Sequence, residues 1–305
     1  MVDEIKKLDL KNQGYRLIGN HSAVKVCEWT RKSLRGENCC YKEKFYDTKS
    51  HRCVQMTPAV NTCTHRCLFC WRDIDFTKSR WHGKTDDPKF IVDECIKQFQ
   101  KGIEGYKGYS KVDKKKLNET IKPQQFAISL SGEPTLYPKL PELINELKKT
   151  KINSFLVTNG TNPVMLKKLL SKKAQPTQLY ITLPAPEKET YVRICNPLIK
   201  DGWKKIMQSI SLLKKFKRHV LRLTLAKGLN MNHVEKYAGI IKRYKPILIE
   251  CKAYMHLGYS RKRLEIHYMP FYNDIKEFVK ELARLTGYKI KNQKEDSRVF
   301  LLSKD

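Results

Sequence analysis

No stretch of these 305 residues stays apolar for the roughly 18 positions a membrane-spanning helix needs, so a helical membrane protein is excluded. The opening MVDEIKKLDL lacks the apolar core of a secretory leader. The ten cysteines are therefore expected to be cytoplasmic thiols and not disulfides. There is no internal repeat, no low-complexity tract beyond short lysine runs and no sustained heptad, which points to a monomer built around its own core. Acidic residues are scarce: 31 Asp and Glu face 61 Lys and Arg, a formal net charge of +30. A thermophilic surface raises Glu together with Lys. A deficit of this size gives a long-range field that attracts polyanions, with nucleic acid the first candidate.

A fourth metal ligand is also missing from the most specific motif, Cys63-Thr64-His65-Arg66-Cys67-Leu68-Phe69-Cys70. A zinc knuckle wants four donors, commonly two C-x2-C pairs, and here only His65, inside the tight loop, is offered as the fourth. Three thiolates at C-x3-C-x2-C spacing suit three irons of a [4Fe–4S] cube, with the last iron left open to another ligand. The lone Cys95, Cys195 and Cys251 have no partner spacing and read as small buried apolar residues.

Around this loop, short apolar runs alternate with amphipathic stretches. Strands are expected over Val54–Val60, Phe126–Leu130, Ser154–Thr158, Leu179–Leu183, Val220–Leu225 and Ile247–Cys251. Helices fall between them, one placing Trp203, Ile206, Met207 and Ile210 on one face and another Leu140, Leu143 and Leu147. That alternation implies βαβ units and a parallel sheet: an α/β fold, a partial (β/α)6 TIM-like barrel open on one side, with a complete eight-fold barrel as the competing architecture. Residues 1–54 read as an N-terminal extension with few periodic segments, 55–258 as the barrel and 259–305 as a C-terminal extension. The last of these holds a helix with Ile275, Phe278, Val279 and Leu282 on one face and a hairpin of Tyr288–Lys291 with Val299–Leu302. The polar, lysine-rich Trp71–Pro88 and Gly102–Pro123 read as loops that contact substrate or stand in solvent.

Strand ends carry the chemistry in barrels of this kind. Ser131-Gly132-Glu133-Pro134-Thr135 ends the second strand and Thr158-Asn159-Gly160 the third. In this order after the cysteine loop, they resemble the "GGEP" and "TNG" elements of the radical S-adenosylmethionine (SAM) superfamily. The resemblance implies that the open iron chelates SAM and that one electron splits its sulfonium to a 5′-deoxyadenosyl radical. Ser131, Gly132 and Glu133 would receive the SAM amino group, and Thr158 and Asn159 would lie near the ribose and methionine. Thr182 and Arg222, at later strand ends, are weaker candidates for SAM contacts, and Phe69 or Trp71 would pack on the adenine or shield the cluster.

Four further cysteines, Cys27, Cys39, Cys40 and Cys53, stand in the extension, three of them separated by equal intervals of thirteen. That spacing makes no local loop, and coincidence or a zinc site remain alternatives. With Asn61–Arg72 (NTCTHRCLFCWR) and the SGEPT element, however, nearly the whole chain resembles the tRNA 4-demethylwyosine synthases of wybutosine synthesis. The resemblance implies that N1-methylguanosine at position 37 of phenylalanine tRNA, recognised through its anticodon stem-loop, is condensed with pyruvate. It implies a second [4Fe–4S] cluster on Cys27, Cys40 and Cys53 that can chelate pyruvate, with Cys39 able to replace Cys40 or to close the site as a fourth thiolate. It also implies a Schiff-base lysine at Lys42, with Lys44 and Lys49 as competing candidates. A separate electron donor, ferredoxin or flavodoxin, is expected, because no flavodoxin-like domain is fused to the chain.

Arg72, Lys78, Arg80 and Trp81 are then candidate RNA holders, as are the basic residues of Tyr259–Arg263. The competing assignments are another two-cluster radical-SAM RNA enzyme such as a methylthiotransferase, which would not need pyruvate, a glycyl-radical activase, which this charge fits poorly, and a non-catalytic RNA-binding metal protein.

Overall fold

The computed structural model describes residues 4–304. Ten strands form one sheet: β1 (Arg16–Ile18), β2 (Ser22–Lys25), β3 (Cys53–Thr57), β4 (Gln125–Ile128), β5 (Asn153–Thr158), β6 (Gln178–Thr182), β7 (His219–Leu225), β8 (Leu248–Ala253), β9 (Lys289–Lys294) and β10 (Val299–Ser303). Their order is β1-β2-β3-β4-β5-β6-β7-β8-β10-β9. From β3 to β8 every pairing is parallel, and these six strands coincide with the six apolar runs. The sheet does not close, so the open six-strand barrel is correct and the eight-fold alternative falls.

The connecting helices cover the outer face, because the apolar stripes of Leu140–Lys149, Gly202–Ser211 and Tyr272–Thr286 are buried against it, and their faces are those expected. The C-terminal hairpin adds antiparallel to β8 through β10, and its outer strand β9 (KIKNQK) is protected from edge pairing by lysines.

The N-terminal extension is more ordered than expected. β1 and β2 prolong the sheet antiparallel beyond β3, and short helices occupy Glu28–Leu34 and Tyr41–Tyr46. Segments of three to seven residues are too short to show a period. Gly102–Pro123 is likewise no bare loop: a 3-10 turn spans Glu104–Gly108 and a helix Lys114–Glu119, whose first turn is capped by Asp113 accepting from Lys116 N–H at 3.0 Å.

Inside the barrel, alternate residues of the parallel strands point inward. Phe155, Tyr180, Val220 and Leu248 meet Leu301 of β10 and Tyr46 in an inner apolar cluster. The helix Tyr41–Tyr46 thus caps the barrel at the end where its strands begin. Above that cluster lies a buried charge pair: Arg222 Nε donates to Glu250 Oε1 at 2.8 Å, and the carboxylate also accepts from the hydroxyls of Tyr41 (3.0 Å) and Tyr46 (3.3 Å). No helix among the described residues is long and apolar enough to cross a membrane.

Candidate active site

The cysteine loop leaves the carboxyl end of β3 and is pinned from several sides. Cys63 N–H donates to Lys78 O (2.9 Å), Arg66 N–H to Cys195 O (3.0 Å), Leu68 N–H to Ile194 O (2.9 Å), and Leu198 N–H to Thr64 O (2.8 Å). Buried His65 is neutral: burial pushes its pKa down to about 4, and its Nε2 pairs with the Tyr191 hydroxyl at 2.9 Å. Cys63, Cys67 and Cys70 converge closely enough to feel one another's charge, and all three thiols are pushed up. Burial leads for Cys63 and Cys70, the latter to about 12, whereas a hydrogen bond with Cys195 leads for Cys67. Thiols in such a place stay protonated unless a metal takes the proton's position. His65, Cys67 and Cys195 also bring their ligand atoms within 4.8 Å of one another. That trio lacks the fourth donor zinc wants, and its imidazole is already committed to Tyr191. The donor set of Cys63, Cys67 and Cys70 fits three irons of a [4Fe–4S] cluster.

Both strand-end elements meet this loop. Glu133 is buried, and its carboxylate accepts from Thr135 N–H (3.0 Å), Thr135 Oγ1 (2.6 Å), Thr158 Oγ1 (2.6 Å) and Asn159 N–H (2.7 Å). It therefore binds the end of β4 to the end of β5 while its charge lies beside Cys63; burial outweighs those donors and raises its pKa. Asn159 Nδ2 donates to Thr64 Oγ1 at 2.8 Å and lies 3.7 Å from Cys63 Sγ, joining the third barrel strand to the cysteine loop. Ser131 is buried, and its carbonyl accepts from Thr57 Oγ1.

Gly132 is required by space and by backbone. Its φ is +66°, and a Cβ there would lie 1.8 Å from the Ala59 carbonyl oxygen and 2.7 Å from that of Thr62. Gly132→Ala is expected to force the SGEPT turn off the cysteine loop. Iron incorporation at this site, read by its visible absorbance after reconstitution, should fall at least severalfold; wild-type incorporation would refute this packing.

A second group of thiols gathers at the other end of β3. Cys27 and Cys40 each stand just before a helix, in extended conformation (φ −66° and −65°), and Cys53 begins β3. Each of Cys40 and Cys53 feels the charges of Cys27 and Lys42. Burial pushes Cys40 to about 12, Cys53 to about 11, and Cys27 upward, with the N–H groups of Trp29 and Thr30 acting the other way on Cys27. Cys39 is not in this group: it faces Glu43, Lys294, Asp296 and Lys116 on the outer side. Lys42 is buried, its ammonium 5.3 Å from the Phe155 ring centre and 5.2 Å from that of Tyr180, whereas Lys44 bonds to Gln293 O and Lys49 sits near exposed Asp47. Their spacing alone makes no local loop, and in the sequence only the family resemblance grouped these three thiols.

Other expected contacts lie elsewhere. Arg222 is spent on Glu250 and on the Tyr41 hydroxyl (2.9 Å), beside the helix that plugs the barrel. Thr182, the direct register partner of Arg222 on β6, is half-buried. Arg72 is no exposed RNA holder: it is buried, its guanidinium lies 3.0 Å from the Trp71 ring centre, and its three side-chain nitrogens have no hydrogen-bond partner among the described residues. Trp81 packs on His21 and Tyr137. Arg263 turns inward to the carbonyls of Leu68, Cys70 and Arg72, clamping the cysteine loop. Lys78 and Arg80 remain exposed.

The model of the radical SAM superfamily matches residues 57–239, and the model described as wyosine base formation matches residues 243–304. The chain is 47% identical over its whole length to the S-adenosyl-L-methionine-dependent tRNA 4-demethylwyosine synthase of Pyrococcus abyssi, of which it covers 90%. It is 39% identical to the enzyme of that name from Methanocaldococcus jannaschii, covering 96% of it. Among solved structures, one described as TYW1 with a lysine–pyruvate adduct bound superposes with a TM-score of 0.90 at 37% identity, with 100% of this chain and 97% of that chain covered. An archaeal TYW1 gives 0.82 at 33% identity, with the same coverage.

Proposed function

Since the chain belongs to the radical-SAM tRNA 4-demethylwyosine synthases, we propose that it condenses N1-methylguanosine at position 37 of phenylalanine tRNA with pyruvate through two metal sites. The observation that carries the reading is Lys42, buried inside the barrel beside Cys27, Cys40 and Cys53. The solved relative with a lysine–pyruvate adduct supports it. A [4Fe–4S] cluster with SAM supplies, when bound at Cys63, Cys67 and Cys70, the radical that removes hydrogen from an unactivated methyl group.

The chain's own residues do the rest. Glu133, Thr158 and Asn159 hold the two strand ends against the cysteine loop and present a negative charge beside Cys63, suited to the SAM ammonium. Ser131 and Gly132 carry the turn that makes this contact. Cys27, Cys40 and Cys53 would hold the second cluster, and the outward position of Cys39 favours three ligands over four. The Lys42 amine, unprotonated, attacks the pyruvate ketone; a C=N bond forms and the ketone oxygen leaves as water. In this reading residues 1–54 serve the second cluster, 55–258 the radical chemistry and 259–305 the closing edge and the Arg263 clamp.

Exposed Lys78 and Arg80, on the loop beside the cluster, suit the phosphates of the anticodon stem-loop, and the target base must leave its stack to reach the barrel mouth. The electron comes from a separate ferredoxin or flavodoxin. The test is an anaerobic assay of reconstituted protein with SAM, dithionite and tRNA bearing N1-methylguanosine, its nucleosides resolved by mass spectrometry. A tricyclic base that appears only with pyruvate is expected; 5′-deoxyadenosine without any change of base would overturn the substrate assignment.

A further inference from the structure

Lys252, on β8, is the cation the reaction so far leaves unused. It projects to the same side of the sheet as Glu250, into the barrel, and lies within electrostatic reach of Cys40, Lys42, Arg222 and Glu250. Its ammonium stands 4.8 Å from the Tyr41 ring centre, and it makes no hydrogen bond or ion pair among the described residues. The nearby acid cannot neutralise it, since both oxygens of Glu250 are taken by Arg222, Tyr41 and Tyr46. Lys42 makes no ion pair among the described residues either; it faces the rings of Phe155 and Tyr180 and the thiols of Cys27, Cys40 and Cys53. An ammonium group held beside an aromatic ring with no carboxylate of its own makes a site that awaits an anion.

We propose that Lys252 binds the carboxylate of the 2-oxo acid and so aims its ketone at Lys42. The inference rests on the reading of Lys42 given above. Of the basic groups that face this space among the described residues, Arg222 is committed to Glu250 and the Tyr41 hydroxyl and Lys42 acts as the neutral amine that attacks the ketone, which leaves Lys252 as the cation. A carboxylate has two oxygens, so a lysine on one is compatible with a metal on the other. The arrangement also sets specificity. A ketone without an adjacent carboxylate would lose this charge-assisted hydrogen bond and leave a cation unpaired.

The test uses reconstituted, cluster-loaded protein and traps the Lys42 imine with cyanoborohydride, located by peptide mass spectrometry, over a range of pyruvate or of its uncharged methyl ester. Lys252→Met is expected to raise the pyruvate concentration for half-maximal trapping by about tenfold or more while changing that for methyl pyruvate less than about twofold. Lys252→Arg should recover most of the preference for pyruvate. Wild-type trapping of pyruvate by Lys252→Met, or an equal loss with both ketones, overturns the proposal, the second outcome marking a structural role. If wild-type protein gives no adduct on Lys42 with either ketone, the reading of Lys42 falls; trapping there with an unaltered Lys252→Met profile sinks the role of Lys252 alone.

Discussion

Cys67→Ala is expected to reduce SAM cleavage to assay background, whereas Cys53→Ala keeps 5′-deoxyadenosine forming and makes no tricyclic base. The reason is the length of one strand. Cys53 opens β3, and the Cys63–Cys70 loop leaves its far end. Five residues at a rise of about 3.3 Å make β3 about 13 Å long, and the two groups of thiols lie beyond its opposite ends. The groups are also supported by different parts of the chain: the helix starts after Cys27 and Cys40 hold one, while the strand ends of β4 and β5 and the Arg263 clamp hold the other. Each site should therefore assemble without its neighbour. Iron content of both variants should fall to half that of wild type, and 5′-deoxyadenosine and modified nucleoside are read from the same reaction. If the two variants lost SAM cleavage alike, the division of labour between the thiol groups would be wrong.

The largest effect on stability is expected at Glu250. Its carboxylate is fully buried and holds Arg222, Tyr41 and Tyr46 together inside the barrel. Glu250→Ala would leave Arg222 unpaired, with Lys42 and Lys252 nearby, and orphan two phenol hydroxyls. Removing one member of a buried pair in this way costs about 3–5 kcal/mol. Urea unfolding of the metal-free protein measures it. The double variant Arg222→Met with Glu250→Leu removes both charges and should recover much of the loss, so the pair remains testable even where the single variant does not fold. A loss under about 1 kcal/mol for Glu250→Ala would show that water reaches this pair freely.

The six parallel strands, the flanking helices and the C-terminal hairpin were legible in the sequence because their signals are local: apolar runs, helical faces and punctuating turns. The Cys63–Cys70 loop was legible for the same reason, its ligands lying within eight residues of each other. Ser131–Thr135 and Thr158–Gly160 could be picked out by order, but only the fold shows Glu133 and Asn159 fastening both to the cysteine loop. Charge alone misdirected the reading of Arg72 and Arg263, since a basic residue beside a motif looks the same whether it faces solvent or is turned into the protein. Cys27, Cys40, Cys53, Lys42 and Lys252 are spread over 226 positions of chain. No local pattern links them, and the choice of Cys40 over Cys39 depends on which of two adjacent side chains points into the barrel as the helix at Tyr41 begins. The sequence by itself determined the barrel strands, their flanking helices and the first metal loop, whose causes act over a few residues, but not the short elements of the N-terminal extension. The tertiary structure added the turn of Cys39 away from Cys40, the position of Lys252 and the inward turn of the arginines, because those depend on where distant strands place their inward faces.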